Sequence, residues 1–267
     1  MWDKNKKCCV VLSFDFDAES MWARAKPFRP ALTSRGEYGA RVGVPRILSL
    51  LDKYGIRGTF FVPADTARRH SAIVKEIHDG GHEIGHHGDV HENPLRLEMD
   101  EEKRILDTGF ETLEKVTGLR PKGYRSPGWE LSPNSVRLFR EFGLLYDSSM
   151  MGDDFRLYRL KDKGKETDVV EIPISWELDD APHFMFNFSP AYLVGMSAPS
   201  KVYEIWSAEF DGAYLNDGVF TLTMHPQIIG RYHRLVMLEK LIKYIRGHTG
   251  VWFTTCTDVA NDWLNKK

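Results

Sequence analysis

Short apolar runs typical of β-strands alternate with helix-like segments along nearly all of the 267 residues of this chain. Residues 7–17 have the pattern of a strand, and residues 44–54 follow with apolar side chains at helical spacing. The same patterns predict further strands at 59–62, 82–87, 123–125, 144–146, 169–176, 219–224 and 251–255. They also predict a helix that follows the strand at 59–62 and ends at residue 80, and further helices over 99–117, 133–142, 201–214, 232–247 and 257–264. Repeated strand–helix units predict an α/β fold with a parallel sheet, either open or closed into a barrel.

Side chains able to carry out chemistry stand at the carboxyl ends of several predicted strands. They are Asp15 and Asp17, His87, Arg125 and His225. Barrel enzymes build their active sites on this rim, so a barrel is favoured over an open sheet. Because no repeat, low-complexity tract or linker divides the chain, we expect a single domain over residues 1–267, with residues 177–200 forming an ordered loop near the site.

The composition argues against several classes of protein. Hydrophobic residues make up 42% of the chain, enough to bury a large core. The net charge of -2, with acids and bases interspersed, indicates no nucleic-acid partner and no membrane surface, and no apolar stretch approaches the ~18 residues of a membrane span. The first apolar run ends at Asp15 without a small-residue cleavage site, which favours a strand over an export signal. Three cysteines, two of them adjacent, do not make a disulfide framework, so we expect a cytoplasmic protein.

Two pairs of residues carry the strongest chemical signal. His87 and His91 stand four apart, so a helical turn or a tight loop can aim both imidazoles at one point, while Asp15 and Asp17 share one face of a strand. Asp17, His87 and His91 would leave a metal ion an open coordination position, and Asp15 could take a proton from water there. Two alternatives stay open: an Asp after a strand is often a helix cap, and ten histidines produce some pairs at this spacing by chance.

Two further candidates are catalytic. Arg125 would pair with a site carboxylate and hold it ionised, although a surface ion pair is an equal alternative. His225 ends an apolar run and suits a general acid, although it could also be a core histidine bonded to a carbonyl. Asp15 itself could act as an acid that merely orients a metal ligand. Candidate substrate contacts are Trp129, Trp176, Asp180 and His86.

Five short blocks occur in a recognisable order between about residues 8 and 262. They are Asp15-Phe16-Asp17, the segment 87–91, the segment 125–129, Trp176 with Asp179 or Asp180, and the segment 222–225 ending in His225. Together they resemble the five motifs of the polysaccharide deacetylase superfamily, also called carbohydrate esterase family four or the NodB homology family. The first pair is spread by one residue here, and Gly88 stands where that family has a hydroxyl side chain.

This resemblance implies a fold and a function. The fold is a distorted (β/α) barrel of about seven parallel strands. The spacing of Asp15 and Asp17, residues 34–36 and 178–180, and His225-Pro226 resemble a subgroup without an export signal. That subgroup contains intracellular peptidoglycan-deacetylase-like proteins, cyclic imide hydrolases and metal-independent allantoinases, which tend to form homo-oligomers, often tetramers. Because this chain retains all three ligand residues, we expect a bound zinc ion, or cobalt or nickel in its place.

The expected function is hydrolysis of a non-peptide amide C–N bond in a small-molecule or oligosaccharide substrate, foremost the deacetylation of an N-acetylated sugar. A cyclic imide or a ureide ring presents the same reacting group and is the alternative substrate class. A non-catalytic barrel that binds carbohydrate or holds a structural zinc is the alternative of another kind. A structural zinc usually has four protein ligands, and only three converge in this interpretation.

Overall fold

The computed structural model describes residues 2, 5–23, 27–187 and 193–266. Strands and helices alternate in the first half as β1 (Cys8–Asp15), α1 (Ser20–Ala23), α2 (Pro30–Tyr38), α3 (Val44–Lys53), β2 (Thr59–Val62), α4 (Ala64–Arg69), α5 (Ser71–Asp79), β3 (Glu83–His86), α6 (Met99–Thr117), β4 (Gly123–Tyr124), α7 (Ser135–Glu141) and β5 (Tyr146–Asp147). The second half contains β6 (Tyr158–Asp162), β7 (Lys165–Glu171), α8 (Asp180–Phe184), β8 (Phe186–Asn187), β9 (Leu193–Val194), α9 (Pro199–Leu215), β10 (Val219–Met224), α10 (Pro226–Ile229), α11 (Tyr232–Arg246), β11 (Val251–Thr254) and α12 (Cys256–Leu264). Among these helices, none has the length and apolar character needed to cross a membrane.

The main sheet has nine strands in the order β10-β1-β2-β3-β4-β5-β7-β6, with β11 beside the first half of β1. All pairings are parallel except that of β6 with β7. Among the described residues, the segment that follows β7 reaches β10 through a single isolated bridge, which joins Asp179 to Thr223. The sheet therefore curls into the expected distorted barrel in a single domain, with eight parallel strands rather than about seven.

Strand β1 pairs with β10, β11 and β2, and all eight of its residues are buried. Cys9 and Val11 pack into the interior of the barrel, whereas Val10 and Leu12 pack against the surrounding helices. A strand covered on both faces needs a continuous apolar sequence rather than an alternating one. This explains the apolar sequence of β1, which ends where the polar site begins.

Glycines make room for large rings inside the barrel. A Cβ atom on Gly85 would lie 2.5 Å from the ring of Phe61, and one on Gly123 would lie 1.9 Å from the ring of Tyr146. The Tyr146 hydroxyl donates to Glu83 Oε1 at 2.8 Å, toward the amino ends of the strands. The barrel is thus a filled core, and its polar chemistry is displaced to the carboxyl ends of the strands.

Three elements differ from the sequence-based expectation. The predicted strand at 169–176 begins earlier and ends at Glu171, and Trp176 lies in a short 3₁₀ turn, Trp176–Leu178. Its antiparallel neighbour β6 was not predicted, because its alternation of half-buried and exposed residues carries little apolar signal. The loop expected at 177–200 contains α8, β8, β9 and the start of α9, and positions 188–192 of it lie outside the described residues.

Candidate active site

The end of β1 places two carboxylates at the mouth of the barrel. Asp15 is the last residue of the strand, and Asp17 follows it after one residue. The carbonyl oxygen of Asp17 accepts hydrogen bonds from Ser20 Oγ at 2.6 Å and from Thr66 Oγ1 at 2.5 Å. Ala18 then has a φ of 48°, a left-handed conformation that non-glycine residues adopt mainly where function requires it. The chain therefore turns sharply past Asp17 and leaves its carboxylate buried over the barrel.

The two histidines come from a tight loop after β3 rather than from a helical turn. Gly88 and His91 have φ values of 72° and 55°. The carboxylate of Glu92 closes the loop by accepting from Asp89 N at 2.8 Å and Val90 N at 2.7 Å. A Cβ atom on Gly88 would lie 2.5 Å from Glu92 Oε1, so this packing explains the glycine at that position.

Asp17, His87 and His91 form the group that sequence reasoning predicted as metal ligands. Asp17 Oδ1 lies 3.4 Å from His87 Nε2 and 3.9 Å from His91 Nε2. His87 Nδ1 donates to the carbonyl oxygen of Arg125 at 2.7 Å, which leaves the lone pair of Nε2 directed toward Asp17. Asp17 Oδ1 is buried and has no hydrogen-bond donor among the described residues. A divalent cation would satisfy this orphaned oxygen, and the donor set fits zinc.

The charge of Asp17 is set by the surrounding histidines. Burial alone would raise the pKa of this carboxyl group, but the neighbouring His91, His87 and His225 outweigh burial and lower the pKa to about 2. Asp17 is consequently an anion throughout the neutral range, as a metal ligand must be.

Asp15 pairs with Arg125 in the interior of the protein. Arg125 Nη1 donates to Asp15 Oδ1 at 2.9 Å, and the side chains are 0% and 2% exposed, so this is not the surface ion pair considered as an alternative. The guanidinium also donates to Ser13 Oγ, Ser148 O and Ser148 Oγ, each at 2.9 Å. Asp15 Oδ2 lies 4.0 Å from His87 Nε2. Arg125 therefore fixes the orientation of a carboxylate beside the ligand group.

His225 approaches the same ligand group from β10. Its Nδ1 lies 2.7 Å from Asp180 Oδ1 and 3.5 Å from Asp179 Oδ1, and its Nε2 lies 3.9 Å from Asp17 Oδ2. Burial lowers the pKa of His225, but the two adjacent carboxyl groups outweigh burial and raise it well above the ordinary value. The adjacent carboxyl groups therefore favour the protonated imidazole, with Nδ1 bonded to Asp180 and Nε2 directed at the site.

The structure contradicts two of the predicted substrate contacts. Asp180 is fully buried and uses both oxygens on His225, accepting also from its backbone nitrogen at 3.0 Å. The ring of His86 lies on the outer face of the sheet, with Nε2 donating to Leu106 O at 3.0 Å and Nδ1 accepting from Gly88 N at 3.0 Å. Successive residues of a strand point to opposite faces, so His86 cannot face the site that His87 faces.

The two predicted tryptophan contacts lie together. Trp129 and Trp176 stack with ring centroids 4.3 Å apart, although they come from loops that follow different strands. Trp176 is 45% exposed and Trp129 is 6% exposed. This pair presents a flat apolar surface at the carboxyl end of the barrel, where Arg125 and Asp179 also lie.

Sequence reasoning missed several supporting residues. Gln227 Nε2 donates to Asp17 Oδ2 at 3.3 Å, Glu92 holds the histidine loop and Ser148 holds Arg125. Asp179 contacts His225 beside Asp180 and caps α8 by accepting from Ala181 N. Asp179 was already a candidate for the fourth motif block. Of the residues that were missed, Gln227 and Ser148 act through contacts between distant parts of the chain, whereas Glu92 acts within its own loop.

Comparison with known proteins agrees with this geometry. The family profile described as polysaccharide deacetylase matches residues 3–146. Peptidoglycan deacetylase of Helicobacter pylori is 34% identical over 286 residues, which cover 98% of each chain. A Mycobacterium smegmatis protein assigned to the polysaccharide deacetylases is 39% identical, with a TM-score of 0.90 over 98% of this chain and 91% of that one. The structure of PuuE allantoinase is 25% identical, with a TM-score of 0.85 over 99% of this chain and 93% of that one. From its extended similarity in sequence and structure, the chain belongs to the polysaccharide deacetylase family.

Proposed function

We propose that this protein is a metal-dependent deacetylase that hydrolyses the amide bond of an N-acetylated sugar. The observation that carries the proposal is the placement of two differently charged groups around one ligand set. The carboxylate of Asp15 lies 4.0 Å from His87 Nε2, and the imidazole of His225 lies 3.9 Å from Asp17 Oδ2. A base and an acid at one site are what hydrolysis of an amide requires.

Asp17, His87 and His91 would hold the cation, zinc or alternatively cobalt or nickel. When bound, a divalent cation supplies a Lewis acid that polarises the amide carbonyl and makes water more acidic. The buried, donor-free Asp17 Oδ1 and the fixed tautomer of His87 support this assignment. Three protein ligands leave room for water or substrate, which favours a catalytic over a structural metal.

Asp15 is the general base in this proposal. Arg125 holds Oδ1 at 2.9 Å through a fully buried ion pair, so the carboxylate keeps one orientation and its other oxygen is directed to the site. Asp15 Oδ2 receives the proton of the attacking water.

His225 is the general acid. Its Nδ1–H stays bonded to Asp180 at 2.7 Å, which fixes the ring and stabilises its positive charge. The proton on Nε2 passes to the departing nitrogen, so that the products are an amine and acetate. A passive carbohydrate-binding barrel would have no use for this acid or for Asp15.

The substrate class rests on two kinds of support. The relative from H. pylori carries the name of a peptidoglycan deacetylase. Trp176, which is 45% exposed, offers an aromatic surface of the kind that lines ligand sites, and we assign it to the apolar face of a sugar ring. Trp129 is 6% exposed and stacks on Trp176, so we assign it to the support of that contact.

The test combines metal content with turnover. Purified protein is analysed for zinc, cobalt and nickel, and N-acetylglucosamine oligomers, succinimide and allantoin are offered before chelation, after it and after metal is restored. We expect bound metal and chelator-sensitive release of acetate from the oligomers. Ring opening of succinimide or allantoin without acetate release would select the alternative substrate class. Undiminished activity in metal-free protein would refute the ligand assignment, and unfolding on chelation without any turnover would indicate a structural zinc.

A further inference from the structure

A pair of buried acids lies outside the catalytic group, on the strands beside Arg125. Asp147 ends β5 and Glu171 ends β7, and the two residues are direct partners in the parallel register. Both are 0% exposed. Neither residue belongs to the predicted site, and the proposed hydrolysis does not use them.

The hydrogen bonds of the two acids are incomplete in a specific way. Asp147 Oδ1 accepts from Ser149 Oγ at 2.8 Å, and Glu171 Oε1 accepts from Ser149 N at 3.0 Å and Met150 N at 2.8 Å. The remaining oxygens, Asp147 Oδ2 and Glu171 Oε2, are buried without a donor among the described residues. The two carboxyl groups lie on the same side of the sheet, because paired residues of adjacent parallel strands point to the same face. A hydrogen bond between two carboxyl oxygens requires a proton between them.

The surroundings favour one shared proton over two full charges. Burial raises the pKa of Asp147 to about 6, and burial together with the charge of Asp147 raises the pKa of Glu171 well above its ordinary value. Arg125 is the cation that acts on Asp147. The phenol groups of Tyr124 and Tyr158 also interact with the pair.

The acid pair is connected to Arg125 through the turn at residues 148–150. Ser149 Oγ, which donates to Asp147, accepts from Ser126 N at 2.8 Å, directly after Arg125 in the chain. Ser148 accepts from Arg125 Nε and Nη2 through its carbonyl and hydroxyl oxygens. The turn at residues 148–150, which accepts hydrogen bonds from the Arg125 guanidinium, is therefore itself bonded to Asp147 and Glu171.

We propose that Asp147 and Glu171 share a single proton and act as a positioning unit that holds Arg125, and through it Asp15, in place. The catalytic consequence rests on the proposed function, whereas the shared proton and the effect on Arg125 do not. Both acids are positioning residues, since neither contacts the ligand group.

Glu171→Gln and Glu171→Leu separate the two parts of this proposal. The glutamine retains an acceptor for the turn and supplies a permanent N–H to Asp147, so we expect it to keep kcat close to the original. The leucine removes the acceptor for Ser149 N and Met150 N, and we expect kcat to fall roughly 10- to 100-fold with little change in KM, because a small misplacement of a catalytic group has that effect. Ser149→Ala removes a different link, from Asp147 through Ser149 Oγ to Ser126 N, and supplies a second measurement of kcat if the leucine variant does not fold.

The matched control is Glu102→Gln. Glu102 is also a buried acid, 3% exposed, and its carboxylate accepts from the hydroxyls of Ser132 and Ser135, but it lies on α6 without a contact to Arg125. We expect this variant to lose stability without a selective loss of kcat. An equal loss in the control, or a leucine variant with full kcat and only a lower melting temperature, would overturn the positioning role.

Two spectroscopic readouts do not depend on turnover. The infrared C=O stretch of a protonated carboxyl group should be present in the original protein at pH 7 and should lose intensity in Glu171→Gln and Asp147→Asn. The Arg125 Nε–H resonance, assigned by its absence in Arg125→Lys, should shift in Glu171→Leu and Ser149→Ala but stay in place in Glu102→Gln. An unchanged infrared band or an unmoved Arg125 resonance would refute the inference, even if no amide substrate were hydrolysed and the proposed function failed.

Discussion

At the scale of single residues, three of the proposed site residues each have a partner that fixes their orientation. Arg125 holds Asp15, the carbonyl oxygen of Arg125 holds His87, and Asp180 holds His225. The partners differ in chemistry, so two carboxylates only one residue apart receive different roles. Asp15 faces a guanidinium and can work as a base, whereas Asp17 faces two imidazoles and can work as a ligand.

Substitutions of the two neighbouring acids should have different effects. Asp17→Ala removes the only carboxylate of the ligand group among the described residues, so we expect metal content to fall to background. Asp15→Asn retains the ligands but loses the base, so we expect full metal content and a kcat lower by about 10²- to 10⁴-fold. Elemental analysis and acetate release on the same preparations measure both effects. Asp89→Asn, in the histidine loop, is the control, and loss of metal in Asp15→Asn with retention in Asp17→Ala would reverse our assignment.

Asp180→Asn should change the pH dependence of the reaction. The adjacent carboxyl groups raise the pKa of His225, and protonated His225 is the proposed acid, so activity should persist until the pH rises through this raised pKa. Removing one carboxylate lowers that pKa and moves the alkaline loss of kcat to lower pH. Profiles of kcat from pH 6 to 10 measure the shift. His225→Gln should instead be slow at every pH, and a profile for Asp180→Asn that merely scales downward would argue against the role of Asp180.

At the scale of elements, long amphipathic segments were predictable and short polar ones were not. Helix α6 spans Met99–Thr117, as its periodicity predicts, and ends before Gly118, whose φ is 79°. The strands β4 and β5 have only two residues each, yet both overlap the strands predicted at 123–125 and 144–146. Strand β6 and the short β8 and β9 lack such a pattern, because few of their residues are buried.

The contact of α6 with β3 depends on a glycine. A Cβ atom on Gly109 would lie 1.9 Å from His86 Nε2, and both residues are buried. Gly109→Ala should therefore lower the free energy of unfolding by roughly 1–3 kcal/mol, although alanine favours a helix by about 1 kcal/mol in open positions. Thr108→Ala, on the exposed face of the same helix, should change it by less than about 0.5 kcal/mol. Urea denaturation measures the free energy of unfolding of both variants. A Gly109→Ala protein that is more stable than the original would show that α6 can move away from His86 without loss of free energy.

At the scale of the whole molecule, the barrel separates an interior core from an outer core beneath the helices. His86 belongs to the outer core, where it packs against Phe110 and Tyr124. Burial lowers its pKa to about 3, so the folded protein holds it neutral. In the unfolded chain a histidine takes up a proton below a pH of about 6.5.

His86 should therefore make the whole protein sensitive to acid. Its contribution to stability is complete above pH ~6.5 and is lost as the pH falls toward 3, by up to about 1.4 kcal/mol per pH unit. His86→Gln cannot titrate, so the free energy of unfolding of this variant should fall less steeply between pH 7 and 4.5. Denaturation curves at several pH values compare the two slopes. Parallel slopes would show that His86 is protonated in the folded state as well.

The sequence by itself determined the alternation of strands and helices and the position of the reactive residues at strand ends, because both follow from local periodicity and from the rule that parallel strands share one polar edge. It also determined Asp15, Asp17, His87 and His91 as candidates through their spacing. Only the tertiary structure decided to which side of the sheet each side chain points. It places His86 on the outer face, away from the site, and directs Asp180 toward His225. It likewise brought Ser148, Gln227 and the Asp147–Glu171 pair into place. These contacts join residues from different strands, and no local pattern of the chain encodes a distance between them.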